Sequence, residues 1–357
     1  MPTWGGLLLE LQQTAQILAQ QIQAGLVPPT TSAFDLVRRK YLALLAQRTG
    51  RNVILYASKW TQWSPGIEPA LITITAEDVQ GFMEVMHGLP PGGLDLVIHL
   101  PGGSAEAAES LVTYIRSKFN DVRVFVPHAA MSAATMLACS ANRIVMGKHS
   151  FLGPIDPQFI IQTELGRASV AAHAIEQQFA LAKEEIKKES QLLPAWLPIL
   201  RQYGPALIIQ CQLARELSET LVSDWLSRYM LAKQPDQYGV RQPDESGLGK
   251  EIAAKLADHS LFMSHSRFID RAQAQGFGLV VDELESDQGL QEDTLSVFHA
   301  TSHTFNATPC VKIIENHLGK AFMKAAQQQV IIQPQQPGGL RVPPQVPPQT
   351  PPGPPQT

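Results

Sequence analysis

LDLVIHLPGGS, residues 94–104, changes character twice within a few positions. Leu94 to Leu100 is an almost continuous apolar run, the pattern of a strand buried on both faces. Pro101 cannot continue a ladder, Gly102 and Gly103 can adopt positive φ, and Ser104 can cap a helix whose Ala108, Leu111, Val112, Ile115 and Phe119 share one face. Strand, glycine turn, helix is thus spelled out in one stretch. The neighbouring sequence repeats the alternation. NVILYA (52–57) reads as a strand, and Thr75 with Asp78 forms a capping box opening a helix with Val79, Phe82, Met83 and Met86 on its apolar face. VRVFVP (122–127), the small-residue segment AAMSAATMLACSA (129–141) and RIVMG (143–147) follow. Strands joined by helical crossovers of this length pair in parallel, so the fold class is α/β.

Beyond Gly153 the chain reads as helical, with amphipathic stretches over Ser169–Ser190 and Ala206–Ala232, a loop over Gln234–Gly249 and a short strand in GLVVDEL (278–284). At the other end, Leu8, Leu11, Ala15, Leu18 and Ile22 form the seam of an N-terminal amphipathic helix, expected to pack on the protein's own core. The N-terminal stretch has neither a basic leader nor an unbroken apolar span, so no signal peptide and no membrane span are expected. Of 27 prolines, 10 fall between Pro334 and Thr357 in repeated Pro-Pro-Gln, a disordered polyproline-type tail. The expected organisation is an N-terminal helix over residues 1–30, a main domain with a helical extension over 31–330, and the tail over 331–357.

Lys plus Arg 28 against Asp plus Glu 32 gives a net charge of −4, which lacks the basic excess of a nucleic-acid binder. Cys139, Cys211 and Cys310 have no metal-ligand spacing and read as buried thiols in a reducing, cytoplasmic setting. His265, Arg267, His299, His303 and His317 match no metal signature either, and ordinary polar contacts are their expected role. No metal and no cofactor are expected.

The chemistry is expected beyond the carboxyl ends of the strands. There the Gly102-Gly103 turn can direct backbone N–H groups outward, and Ser132, at the start of the small-residue helix, stands where N–H groups stabilise developing negative charge. Each feature taken alone also fits a steric turn or a packing serine.

Together with RRKYLALL (38–45), TGRNVILYASKW (49–60), ITAEDVQGFMEVMHGL (74–89), SFLGPIDPQF (150–159), SHSRFIDRAQAQGFGLVV (264–281) and KIIENHLGKAF (312–322), these segments resemble the serine dehydrogenase proteinase family. That family is a branch of the Clp-protease/crotonase superfamily related to signal-peptide-peptidase-A-type enzymes. The resemblance implies a spiral of βαβ units and a serine peptidase acting on polypeptide through an acyl-enzyme. By motif matching Ser132 is the nucleophile, and Gly103 and Ala133, beside Gly102, form the oxyanion hole. Where Clp proteases carry a histidine, the stretch SFLGPIDPQ carries Asp156, a weak base for a hydroxyl near its ordinary pKa of about 4, and alternatively an acceptor ordering the Gly153-Pro154 turn. The signal-peptide-peptidase branch uses a later lysine, which points to Lys183 at the edge of a stripe with Ile175, Phe179 and Ile186. His128 could face the same cleft, though a surface strand-end role is expected of it. The resemblance further implies a homo-oligomer and leaves room for an ATP-driven unfoldase partner, since the chain has no Walker motif of its own. Two other readings stay open: a crotonase-like acyl-CoA enzyme using the same oxyanion pocket, and a catalytically silent scaffold.

Overall fold

The apolar runs set the sheet, and the alternation of their side chains sets the layers. The computed structural model describes residues 3–62, 66–163, 166–233 and 241–326. Its central sheet has seven strands in the order Val281–Glu283, Arg143–Met146, Val122–Val126, Leu94–His99, Asn52–Ser58, Cys310–Asn316 and Ala321–Ala325. The first five are mutually parallel, and the last two close one edge antiparallel. Ile54, Leu96, Val124 and Ile144 stand in one row across the parallel strands and belong to the larger core. The next row, Leu55, Val97, Phe125 and Val145, points into a second core on the other side.

Helices cover each face. Asp78–Met86, Ala105–Arg116, Ala133–Cys139, Leu207–Trp225 and Leu248–Ala257 contribute to the larger core. Trp4–Gln23, Ala33–Thr49 and Gln288–Ala307 contribute to the second. Helices on both faces of a mostly parallel sheet are the α/β architecture expected from the sequence.

Buried ion pairs fasten the antiparallel edge to the helices. Arg38 Nε donates to Glu315 Oε2 at 2.5 Å, both side chains being fully buried. Lys312 Nζ sits 2.9 Å from both oxygens of Asp78 and 2.6 Å from the Thr73 carbonyl, and Tyr56 donates its hydroxyl to the same carboxylate. Asp78 therefore does more than the capping box required of it. Its carboxylate does accept from the Thr75 backbone N–H at 2.9 Å, but the Thr75 hydroxyl makes no reciprocal bond.

A second, small sheet aligns Ala129–Ala130 parallel to Phe151–Leu152, which pairs antiparallel with Ile269–Asp270. These strands are too short to contribute much stability. Their importance is placement, because Ser132, Asp156 and His265 lie just beyond or just before them.

Several expectations require correction. The N-terminal helix buries Leu7, Leu11 and Leu18, whereas Leu8 and Ala15 are exposed. Three consecutive leucines make the seam ambiguous by one position, and packing against the neighbouring helices selects Leu7. The helix expected from Ser169 begins at Ala172, because Gly166–Ala171 pairs with Gln158–Thr163 as a hairpin. Cys310 is only partly buried, although all three cysteines are free thiols. The proline-rich tail and residues 234–240 of the expected loop lie outside the described residues.

Candidate active site

Ser132 terminates the segment after Ala129–Ala130 and precedes the helix Ala133–Cys139. Its φ of 52° with ψ of −121° is a conformation that L side chains rarely adopt. Such strain costs on the order of 1–3 kcal/mol and persists only when the surroundings dictate it. Those surroundings are tightly tied. Met131 N donates to the Leu100 carbonyl at 3.0 Å, Ala134 N donates to the Met131 carbonyl at 2.9 Å, and the residues flanking Ser132 are buried while Ser132 itself is half-buried. The small side chains of this segment let the turn press against the glycine loop. A Cβ on Gly102 would lie 2.7 Å from Ser132 Cβ, so only glycine fits there.

The loop Pro101–Gly103 is held from its other side by Ile74. Ile74 N donates to the Gly102 carbonyl at 2.7 Å, and Ser104 N donates to the Ile74 carbonyl at 3.1 Å. Gly103 has φ 152°, and a Cβ there would meet Ile74 backbone at 2.3 Å. Ser104 accepts from Ala107 N at 3.0 Å and starts the next helix as its sequence implied. Among the described residues neither Gly103 N–H nor Ala133 N–H has an acceptor within the protein. Two unengaged donors flanking a serine in a strained turn are what an oxyanion hole requires.

Asp156 is 3% exposed and holds two histidines. His265 Nδ1 lies 2.7 Å from Oδ1, and His259 Nδ1 lies 2.9 Å from Oδ2. Gln158 Nε2 donates to Oδ2 at 3.0 Å. A carboxylate only accepts, so each imidazole carries a proton on Nδ1. The expectation that Asp156 takes backbone N–H groups of the Gly153-Pro154 turn is not met. Gly153 N donates instead to Thr135 Oγ1 at 3.0 Å, and Thr135 in turn donates to the Ala130 carbonyl at 2.8 Å.

One cavity of about 480 Å³ gathers these parts. Ser132, Ala133, Gly103 and His265 line it, with Met136, Ile155, Phe159 and Leu217 supplying apolar wall. Glu106 also faces it, and the Ser104 hydroxyl bonded to its carboxylate holds its pKa below the usual range. The sequence-selected residues therefore separate. Ser132, Gly103 and Ala133 meet in the cavity, Gly102 packs beneath Ser132, and Asp156 reaches the cavity through His265. Lys183 is exposed on the helix Ala172–Lys188, its Nζ 6.0 Å from the Phe179 ring centroid, and is not among the lining residues. His128 packs beside His99 and Phe298, outside the cavity. His265, read from sequence as an ordinary polar residue, is the imidazole that shares the cavity with Ser132. Its clue was its place in SHSRFIDRAQ, one of the segments that carry the family resemblance.

A second cavity, about 490 Å³, is lined by Arg51, Arg123, Arg143 and Arg241. Three of these arginines are bonded to Asp95, Asp121 or Asp282, so their charge is spent on structure.

A serine in a strained turn, two amide donors without an acceptor and a histidine bonded to a carboxylate are the parts that serine hydrolases combine. Residues 28–186 match the model of the ClpP-like SDH-type serine proteinase family, the family its motifs resemble. Two uncharacterized proteins of Methanocaldococcus jannaschii are similar to the chain. One is 34% identical over 145 residues, 40% of this chain and 48% of that protein. The other is 36% identical over 86 residues, 24% of this chain and 30% of that protein. The chain thus spans less than half the length of these curated relatives. A solved mutant of the 1510-N membrane-bound stomatin-specific protease is 14% identical with a TM-score of 0.33, covering 59% of this chain and 75% of that one. The family is one of serine proteinases, and His265 lies beyond the matched residues. Among the described residues no helix is long and apolar enough to cross a membrane.

Proposed function

We propose that the protein is a serine-type peptidase in which Ser132 is the nucleophile, His265 the general base and Asp156 its orienting carboxylate. The observation that carries this reading is that His265, with Nδ1 on Asp156, lines the same cavity as Ser132. Nε2 of His265 accepts the Ser132 hydroxyl proton as Oγ bonds to the substrate carbonyl carbon. The carbonyl electron pair moves onto oxygen, where the N–H groups of Gly103 and Ala133 receive it. Collapse breaks the C–N bond, and the departing amine takes the proton from Nε2. Water then attacks the Ser132 ester by the same route, releasing the acid and restoring the hydroxyl.

This reading moves the base from Lys183 to His265, because Lys183 is exposed and does not line the cavity that His265 shares with Ser132. The apolar wall favours peptide substrates with apolar side chains near the scissile bond. The homo-oligomer, the unfoldase partner and a cytoplasmic setting belong to the same proposal; the three free thiols accord with the last. An acyl-CoA enzyme would use the oxyanion pocket but has no need of the His265–Asp156 pair. A silent scaffold would not maintain that pair beside a strained serine.

The test is labelling by a fluorophosphonate probe together with cleavage of a peptide library. Ser132→Ala should abolish both, and His265→Ala should lower kcat/KM by about 10²–10⁴-fold. Full turnover in either variant refutes the proposal.

A further inference from the structure

Both oxygens of Asp156 are engaged, yet only one of them by the histidine in the cavity. His259 bonds the other oxygen, and it is not among the residues lining the cavity with Ser132. The two histidines come from a single turn. Asp258 caps it by accepting from Ser260 N at 2.8 Å and Leu261 N at 3.4 Å, and Met263, at φ 60°, bends the chain back so that His265 returns to the same carboxylate. The segment 259–265 therefore grips one carboxyl group at both ends.

We infer that His259 is a positioning residue of the catalytic set: by bonding Oδ2 it fixes the plane of the Asp156 carboxylate, and so fixes where Oδ1 holds the His265 ring. This rests on the reading of His265 as the base. A carboxylate bonded at one oxygen alone can rotate about Cβ–Cγ and exchange its oxygens, which turns the imidazole bonded to it. Gln158 also reaches Oδ2, at 3.0 Å, but from only two residues along the chain. His259 reaches it from a segment 103 residues away and ties the carboxylate to the element that carries His265. His173 packs beside His259, ring centroids 5.7 Å apart. Misplacing a reacting group by about 1 Å can cost about 10²-fold in rate, so a lost clamp is visible in turnover.

The experiment compares His259→Leu, His259→Asn and His265→Ala for kcat and KM on a peptide that the wild-type protein cleaves. His259→Leu should lower kcat about 10- to 100-fold with KM changed by less than about twofold, since the lost order affects the reacting geometry and not the cavity wall. His259→Asn, whose amide can donate to Oδ2, should recover kcat to within about threefold of wild type. Wild-type kcat in His259→Leu, or asparagine no better than leucine, overturns the inference while an inactive His265→Ala leaves the base assignment standing. An active His265→Ala removes the base assignment, and the inference with it. Should the leucine variant not fold, His259→Asn against His259→Asp decides, because the second replaces the donor by a like-charged acceptor; equal kcat in the two overturns the clamp.

Discussion

Acidification should destabilise this protein through His99, and the size of the effect follows from its burial. His99 ends the strand Leu94–His99, is 3% exposed, and stands with His128 at 5.3 Å between ring centroids. Burial, helped by the neighbouring His128, pushes its pKa from 6.5 down to about 3. The folded protein thus binds fewer protons at this site than the unfolded chain does between those two values. Unfolding takes up a proton in that window, so stability falls as pH drops below 6.5 and continues to fall until about 3. Linkage gives a loss of about 2 kcal/mol by about pH 5 and roughly 5 kcal/mol across the whole window. The assay is urea denaturation at about pH 7.5 and about pH 5, comparing wild type with His99→Phe, which keeps an aromatic ring but cannot titrate. The variant should lose about 2 kcal/mol less than wild type between the two conditions, even though it forfeits the contact of Nε2 with Thr61 Oγ1 at 3.3 Å. Parallel pH dependence in the two proteins would refute the reasoning, because His99 would then be taking up its proton without unfolding.

Three further outcomes follow from contacts around the site. Thr135→Val removes both the bond to the Ala130 carbonyl and the acceptor for Gly153 N, and should cost about 2–4 kcal/mol in chemical denaturation while slowing probe labelling of Ser132. Lys312→Met strips the buried Asp78 carboxylate of its nearer cation, leaving Lys324 at 3.6 Å, and should destabilise by about 3–5 kcal/mol, and Lys312→Met with Asp78→Leu should regain much of that loss, as a thermal shift assay can show. Gly102→Ala places a methyl 2.7 Å from Ser132 Cβ on a residue at φ 104°, and should abolish fluorophosphonate labelling at a smaller cost to the global unfolding transition than to activity.

What could be read in advance tracks the range over which each signal acts. The parallel strands announce themselves as local apolar runs, and the two ends that carry chemistry show glycine and small residues where helices begin. Ser132, Gly103 and Ala133 were legible for that reason, since each belongs to a continuous strand-turn-helix segment. The proposed base was not, because His265 and Asp156 are 109 residues apart and meet through two-residue strands that leave no periodic pattern. Lys183 had the right separation from Ser132, but separation does not reveal which side of an amphipathic helix faces the cavity. The same limitation explains Asp78. Its local role at the start of a helix was visible, whereas its buried partner Lys312 came from a strand near the far end of the chain. Arg38 and Glu315 likewise sit inside two of the recognised segments, and only the fold reveals that each accounts for the other.

The small sheet of Ala129–Ala130, Phe151–Leu152 and Ile269–Asp270 also sets an order of assembly. The nucleophile turn and the glycine loop belong to segments that are synthesised early and contact one another locally, whereas the pairing with Ile269–Asp270 closes a very long loop and brings such contacts late. A growing chain that has emerged only through its first 250 or so residues contains Ser132 and both amide donors but neither histidine of Asp156. In the proposed mechanism the nucleophile therefore remains without a base until residues 259–265 have been made and have docked on Asp156. In that mechanism the long-range docking of residues 259–270, and not the formation of the serine turn, is the step that completes the catalytic set.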